Sequence, residues 1–172
     1  MGPVPATPLP WLCSACQTYS QMDSPEIENM ILANHVEAVN GPLYISGGGW
    51  TDHWRPQSPQ PGVPVVSHLG VAVTVVVPAE APSVAHQLTV GIEDDQGRQV
   101  AGIQTQMNQG RPAGLAPGQA QRSVLALSFN IVFPTAGEYR VVARLGIAAP
   151  RELPFRVHDV AAPAPPSAPP VN

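Results

Sequence analysis

Several places along this 172-residue chain carry residue types that could do chemistry. Cys13-Ser14-Ala15-Cys16 has the spacing of a redox dithiol or of half a zinc site. A redox dithiol needs a helix N-terminus after a strand, and the flanks here are Pro-rich coil. A zinc site needs two further ligands, and no nearby Cys or His supplies them, so the pair reads as incidental. Gly47-Gly48-Gly49-Trp50 could offer backbone N–H groups to an anion or an oxyanion. A phosphate loop requires a following Lys and a helix, and a hydrolase elbow requires Gly two residues before Ser46, where Tyr44 stands. The segment reads instead as a bulge or close backbone approach with Trp50 packed over it.

Acid–base pairs can be sought among the histidines. Asp52 and His53 are neighbours, and neighbours on a strand point to opposite faces. His35 and Glu37 can share a face, but nothing supplies them with a nucleophile or a metal. Glu93-Asp94-Asp95 lacks the alternating oxygen ligands of a calcium loop and reads as a solvated hairpin turn. The chain has no lysine, and its eight basic residues are all arginine, so no amine is present for a Schiff base. These absences lead us to expect no catalytic set, no metal site and no cofactor.

The elements that must position these residues follow from periodicity. Leu69, Val71, Val73, Val75 and Val77 alternate along one face of a central strand, whose other face is also apolar. Further strand-like runs cover 27–33, 43–46, 86–93, 99–106, 123–133, 138–145 and 153–157. Residues 34–40 read as a connector. No 3.6-residue period persists beyond two turns. About seven or eight strands with turn signals between them predict an all-β fold, an immunoglobulin-like antiparallel β-sandwich. Asn40-Gly41 predicts a hairpin turn, because both residues accept positive φ. Pro134-Thr135-Ala136-Gly137-Glu138-Tyr139 resembles the corner before the penultimate strand of such domains, where Gly turns the chain and Tyr packs.

Two stretches read as loops. Residues 51–62 hold Asp52, His53, Trp54 and Arg55, and 107–122 holds Arg111 and Arg122. Trp and Arg are favoured at binding hot spots. Trp50, Asp52, His53, Trp54, Arg55 and Arg111 are therefore the expected binding surface, with another protein or a second copy of the chain as its partner. The alternative is a small-ligand or carbohydrate site using Trp50, Trp54 and Tyr44 as stacking groups, although aromatics make up only 5% of the chain.

Composition bounds the rest. At 44% hydrophobic, the middle of the chain can fill a core without disulfides or metals. Prolines crowd the ends, which suggests a Pro-rich extension over 1–25, one domain over 26–160 and a Pro-rich tail over 161–172. Met22 is the expected natural start. Net charge is −4 with scattered arginines, which argues against nucleic acid. The most apolar run, Val63 to Val77, is interrupted and too short for a membrane span. The N-terminus does not read as a signal peptide. The expected location is the cytoplasm, with a phage- or prophage-associated, virion-bound protein looking the same in sequence. Abundant Ala, Val, Pro and Gly without Lys fits a GC-rich genome.

Residues 31–50, from Ile31 through Asn40-Gly41 to Gly47-Gly48-Gly49-Trp50, together with Gly110–Leu115 and Pro134–Tyr139, resemble an uncharacterised bacterial family. Its members open with a leucine-alanine-aspartate strand, a glycine turn and a GGGW segment; Asn34 stands where they carry Asp. The resemblance spans roughly 27–158. It implies a β-sandwich and carries no activity.

Overall fold

The computed structural model describes residues 24–160 apart from 56–57, 59–61, 80, 82–84 and 109–113. The cysteine pair, Met22, Arg111 and the Pro-rich tail lie outside the described residues. Two sheets carry the chain. One has four strands in the order β2-β1-β4-β7, the other five in the order β3-β9-β8-β5-β6. The strands are β1 (Glu26–Ala38), β2 (Leu43–Gly48), β3 (Asp52–Arg55), β4 (Ser67–Val77), β5 (Ala85–Asp94), β6 (Gln99–Asn108), β7 (Gln121–Ile131), β8 (Gly137–Leu145) and β9 (Arg151–Asp159). The architecture is an all-β sandwich. No helix among the described residues is long and apolar enough to cross a membrane.

The core forms where the alternating faces meet. Leu69, Val71, Val73 and Val75 of β4 are wholly buried, as are Leu88 and Ile92 of β5 and Val141 and Ala143 of β8. Removing each such Val, Leu or Ile side chain from water stabilises the fold by roughly 1.5–3 kcal/mol. β4 lies between β1 and β7, and its outward-facing Gly70 and Ala72 are covered by Ala33 and Val36 of β1. At one end, Phe133, Tyr139 and Phe155 pack ring against ring. The Tyr139 hydroxyl donates to the Thr135 carbonyl at 2.8 Å, which ties the turn to the strand that follows it.

Several elements depart from the sequence expectation. There are nine strands rather than seven or eight, because Asp52–Arg55 is a strand and not part of a loop. That strand runs parallel to β9, so the sandwich is not purely antiparallel. β1 continues through residues 34–38, where the sequence suggests a connector. β6 reaches Asn108 and β7 starts at Gln121, which shortens the long loop to 109–120. Glu93 and Asp94 are buried rather than solvated.

The Asn40-Gly41 turn joins β1 to β2, with φ of +52° and +103°. These are the left-handed values that a two-residue hairpin demands. Past Ala33, β1 leaves β4, stays paired with β2, and passes over Gly70. Its Val36 nitrogen lies 3.0 Å from where a Cβ on Gly70 would sit. Position 70 therefore has no room for a side chain.

Candidate functional site

The segment that carries most of the sequence-derived candidates is a crossover between sheets. β2 ends the four-stranded sheet, and Gly49, at φ +82°, turns the chain while its N–H donates to the Leu32 carbonyl at 2.7 Å. The chain then joins the other sheet as β3. Gly47 is similarly constrained by its φ of +61°, a conformation that side-chain-bearing residues rarely adopt. These glycines are occupied by chain geometry. Trp50, at the end of the crossover, packs half-buried against the core, its ring in a T-shaped contact with Phe155 at 5.8 Å.

Alternation along β3 then separates its side chains. His53 turns inward between Trp50 and Phe133, with ring centroids 5.6 and 5.7 Å away. Burial pushes its imidazole pKa below the ordinary 6.5, because the charged form loses water. Its Nε2 and the Trp50 Nε1 find no hydrogen-bond partner among the described residues. Asp52 and Trp54 turn outward. They lie beside Arg156 and His158, their register partners on β9.

Outside the sheet these residues build one connected group. The Asp52 carboxylate lies 2.6 Å from His158 Nε2 and accepts from the Thr51 hydroxyl at 2.8 Å. The hydrogen bond to His158, then that from Thr51, holds the Asp52 carboxyl below its usual range. The Trp54 indole stacks on the His158 ring at 5.1 Å and 21° between planes, yet Trp54 remains 60% exposed. A large apolar ring is thus held in one orientation and presented to solvent.

Arg55 is engaged within the fold. Its guanidinium donates to Asp159 and, at 2.5 Å, to the Phe133 carbonyl, joining β3, β9 and the segment that follows β7. It ties the framework together. The other arginines among the described residues are similarly engaged. Arg98 pairs with Asp94, Arg122 with Glu28, Arg140 and Arg144 with Glu93, and Arg156 with Glu138, while Arg151 donates to the Glu28 carbonyl. A shallow cavity of about 250 Å³ lies on the outer face of the five-stranded sheet, lined by Asp94, Asp95, Glu138, Tyr139, Arg140, Glu152 and Pro154. Among the described residues no three His, Cys, Asp or Glu side chains converge as a metal site.

Other candidates do not meet. Tyr44 is on β2, an edge of the opposite sheet, and Trp50 is half-buried, so Trp50, Trp54 and Tyr44 form no common platform. His35 stacks on His68 at 6.3 Å, and His68 Nδ1 lies 3.0 Å from the Asn130 side-chain oxygen. Sequence reasoning does not single out His158. The alternation of β9, with Phe155 and Val157 inward, places it outward, but its partnership with Asp52 spans 106 positions.

Residues 28–158 match a family of unknown function, DUF6941. The match covers most of the chain, which therefore belongs to that family. Among curated proteins, none matches the chain.

Proposed function

From membership of a family without an assigned activity, we propose that this chain is a non-catalytic, immunoglobulin-like binding module that docks a partner protein on the outward side of β3. The observation that carries this reading is Trp54. It is exposed, yet held by stacking on a His158 ring that Asp52 fixes in turn. Holding an aromatic anchor in its bound orientation removes ordering cost from association, and Trp and Arg are the residue types that dominate interface energetics.

The topology supports the immunoglobulin-like part. Strands β1-β4-β7 lie against β9-β8-β5-β6, which is the order of the two sheets in such sandwiches, with β2 and β3 added at the edges. The chemistry around Trp54 supports a binding role over a catalytic one. The Thr51 hydroxyl donates to Asp52 rather than to the imidazole, so this neighbouring hydroxyl is not poised as a nucleophile on the Asp52–His158 pair. A nucleic-acid partner fits poorly with a net charge of −4 and with arginines that, among the described residues, mostly pair with the chain's own carboxylates.

The test is Trp54→Ala. At 60% exposure its loss should change stability by less than about 0.5 kcal/mol. Partners recovered by the native chain and by the variant are then compared quantitatively. At least one specific partner should fall tenfold or more, and identical recovery would sink the proposal.

A further inference from the structure

The outer edge of the four-stranded sheet is a second surface, independent of the Trp54 region. β2 reads Leu43-Tyr44-Ile45-Ser46-Gly47-Gly48, with no charged residue and no proline. Tyr44 is 54% and Ile45 38% exposed. Edge strands are ordinarily protected by charge, proline, a bulge or a covering segment. The β3 edge of the other sheet has such protection: β3 is four residues long, and its Asp52 and Arg55 are paired to β9. The four-stranded sheet's other edge, β7, carries Arg122 paired to Glu28.

The hairpin determines which groups of β2 face outward. The Val39 N–H donates to the Pro42 carbonyl at 3.0 Å, so 39 and 42 are a hydrogen-bonded pair. In an antiparallel ladder such pairs alternate with non-bonded ones. In the observed register Tyr44 and Ser46 therefore turn their main-chain groups to β1, and Leu43 and Ile45 turn theirs to the free edge.

We infer that β2 pairs antiparallel with β2 of a second copy, about a two-fold axis at Tyr44. An extended strand is the partner whose own N–H and C=O groups match such a row in spacing, and this strand is complementary to itself. In that register Leu43 bonds with the second copy's Ile45, and Ile45 with its Leu43. The two Tyr44 rings meet in a non-bonded pair, where side chains approach most closely and aromatic contacts are favourable. A register one residue further along would need Gly47, whose φ of +61° turns the strand out of regular pairing. No charge on β2 opposes the contact. Six residues bury less than a standard interface, so the dimer is weak and concentration-dependent.

Disulfide trapping tests the register on the full chain with Cys13→Ser and Cys16→Ser. Tyr44→Cys in that background should cross-link two copies under mild oxidation at least tenfold faster than Ile45→Cys. The two Ile45 positions would be staggered beyond the roughly 7 Å Cα separation that a disulfide tolerates. By sedimentation, the unsubstituted chain should show a monomer–dimer equilibrium that Tyr44→Lys weakens tenfold or more. Equal or inverted cross-linking rates, or a monomer at every concentration, would overturn the inference.

Discussion

The two sheets show their outer faces to solvent in opposite ways. On the five-stranded sheet, Val142 is wholly buried although it belongs to neither apolar cluster. Its neighbours along β8 are Arg140 and Arg144, and both donate to Glu93 on β5. Charged side chains roof this face. On the four-stranded sheet the outer face is closed by small residues and by the chain itself. Ala33, Val36 and Ala72 are buried together, with Ile31, Leu43 and Ala126 packed around them, and β1 runs directly over Gly70. One face is covered by long side chains that can move and exchange with water. The other is covered by main chain that cannot, so similar substitutions should have very different effects on the two.

The largest effect is expected at Gly70. A Cβ there would lie 2.9 Å from a Val36 methyl and 3.0 Å from its main-chain nitrogen. Gly70→Val should cost about 3 kcal/mol or more in denaturant unfolding, and Gly70→Ala a smaller part of that. A loss below about 1 kcal/mol for the Val variant would show that β1 can lift off the sheet.

Glu93→Ala comes next. It removes hydrogen bonds from two arginines, but both arginines are partly exposed and can turn to water. The expected loss is about 1–2 kcal/mol. The same residue gives this face a pH dependence. Burial pushes the Glu93 carboxyl pKa up, but the Arg140 and Arg144 hydrogen bonds outweigh burial and hold it below the ordinary 4.5. The unfolded chain therefore takes up this proton first. The contribution is whole above about pH 4.5 and disappears as pH falls through the folded value. Urea unfolding between pH 6 and pH 3 should show a shallower acid loss for Glu93→Ala than for the native chain. Gly70→Ala should retain the native slope, and equal slopes in all three would remove Glu93 from the account.

The smallest effect is expected at Gly102, which looks as crowded as Gly70. A Cβ there would meet the Gln99 amide nitrogen at 2.3 Å, but that atom is the far end of a flexible side chain. Gly102→Ala should change stability by no more than about 0.5 kcal/mol, with the loss of chain freedom in the unfolded state offsetting the displaced Gln99. A cost near that of Gly70→Ala would mean that the charged face is as rigid as the packed one.

Legibility differs between the strands and the site. The strands with long apolar alternation, β4, β5, β7, β8 and β9, are apparent because a period of two in Val, Leu and Phe places one whole face of an extended chain in a core. β3 is not, since Asp-His-Trp-Arg has neither the length nor the apolar pattern of a strand. It becomes one through pairing with β9. The residues from Trp50 to Arg55 stand out as a group by their types, and they are together because they are contiguous. Their separate roles are hidden. The inward turn of His53, the framework tie made by Arg55 and the support of Trp54 by His158 all depend on which strand β3 joins.

The amino-acid sequence alone therefore determined the strand type, the buried faces and the positions of the Asn40-Gly41 and Pro134–Tyr139 turns. Each of these follows from local periodicity or from the φ preference of single residues. Only the tertiary structure decided that the chain changes sheets after Gly48, that β3 runs parallel to β9, and that Asp52 meets His158. Local pattern fixes the direction a side chain faces, whereas its neighbours there come from pairing between strands about a hundred residues apart, which no local preference encodes.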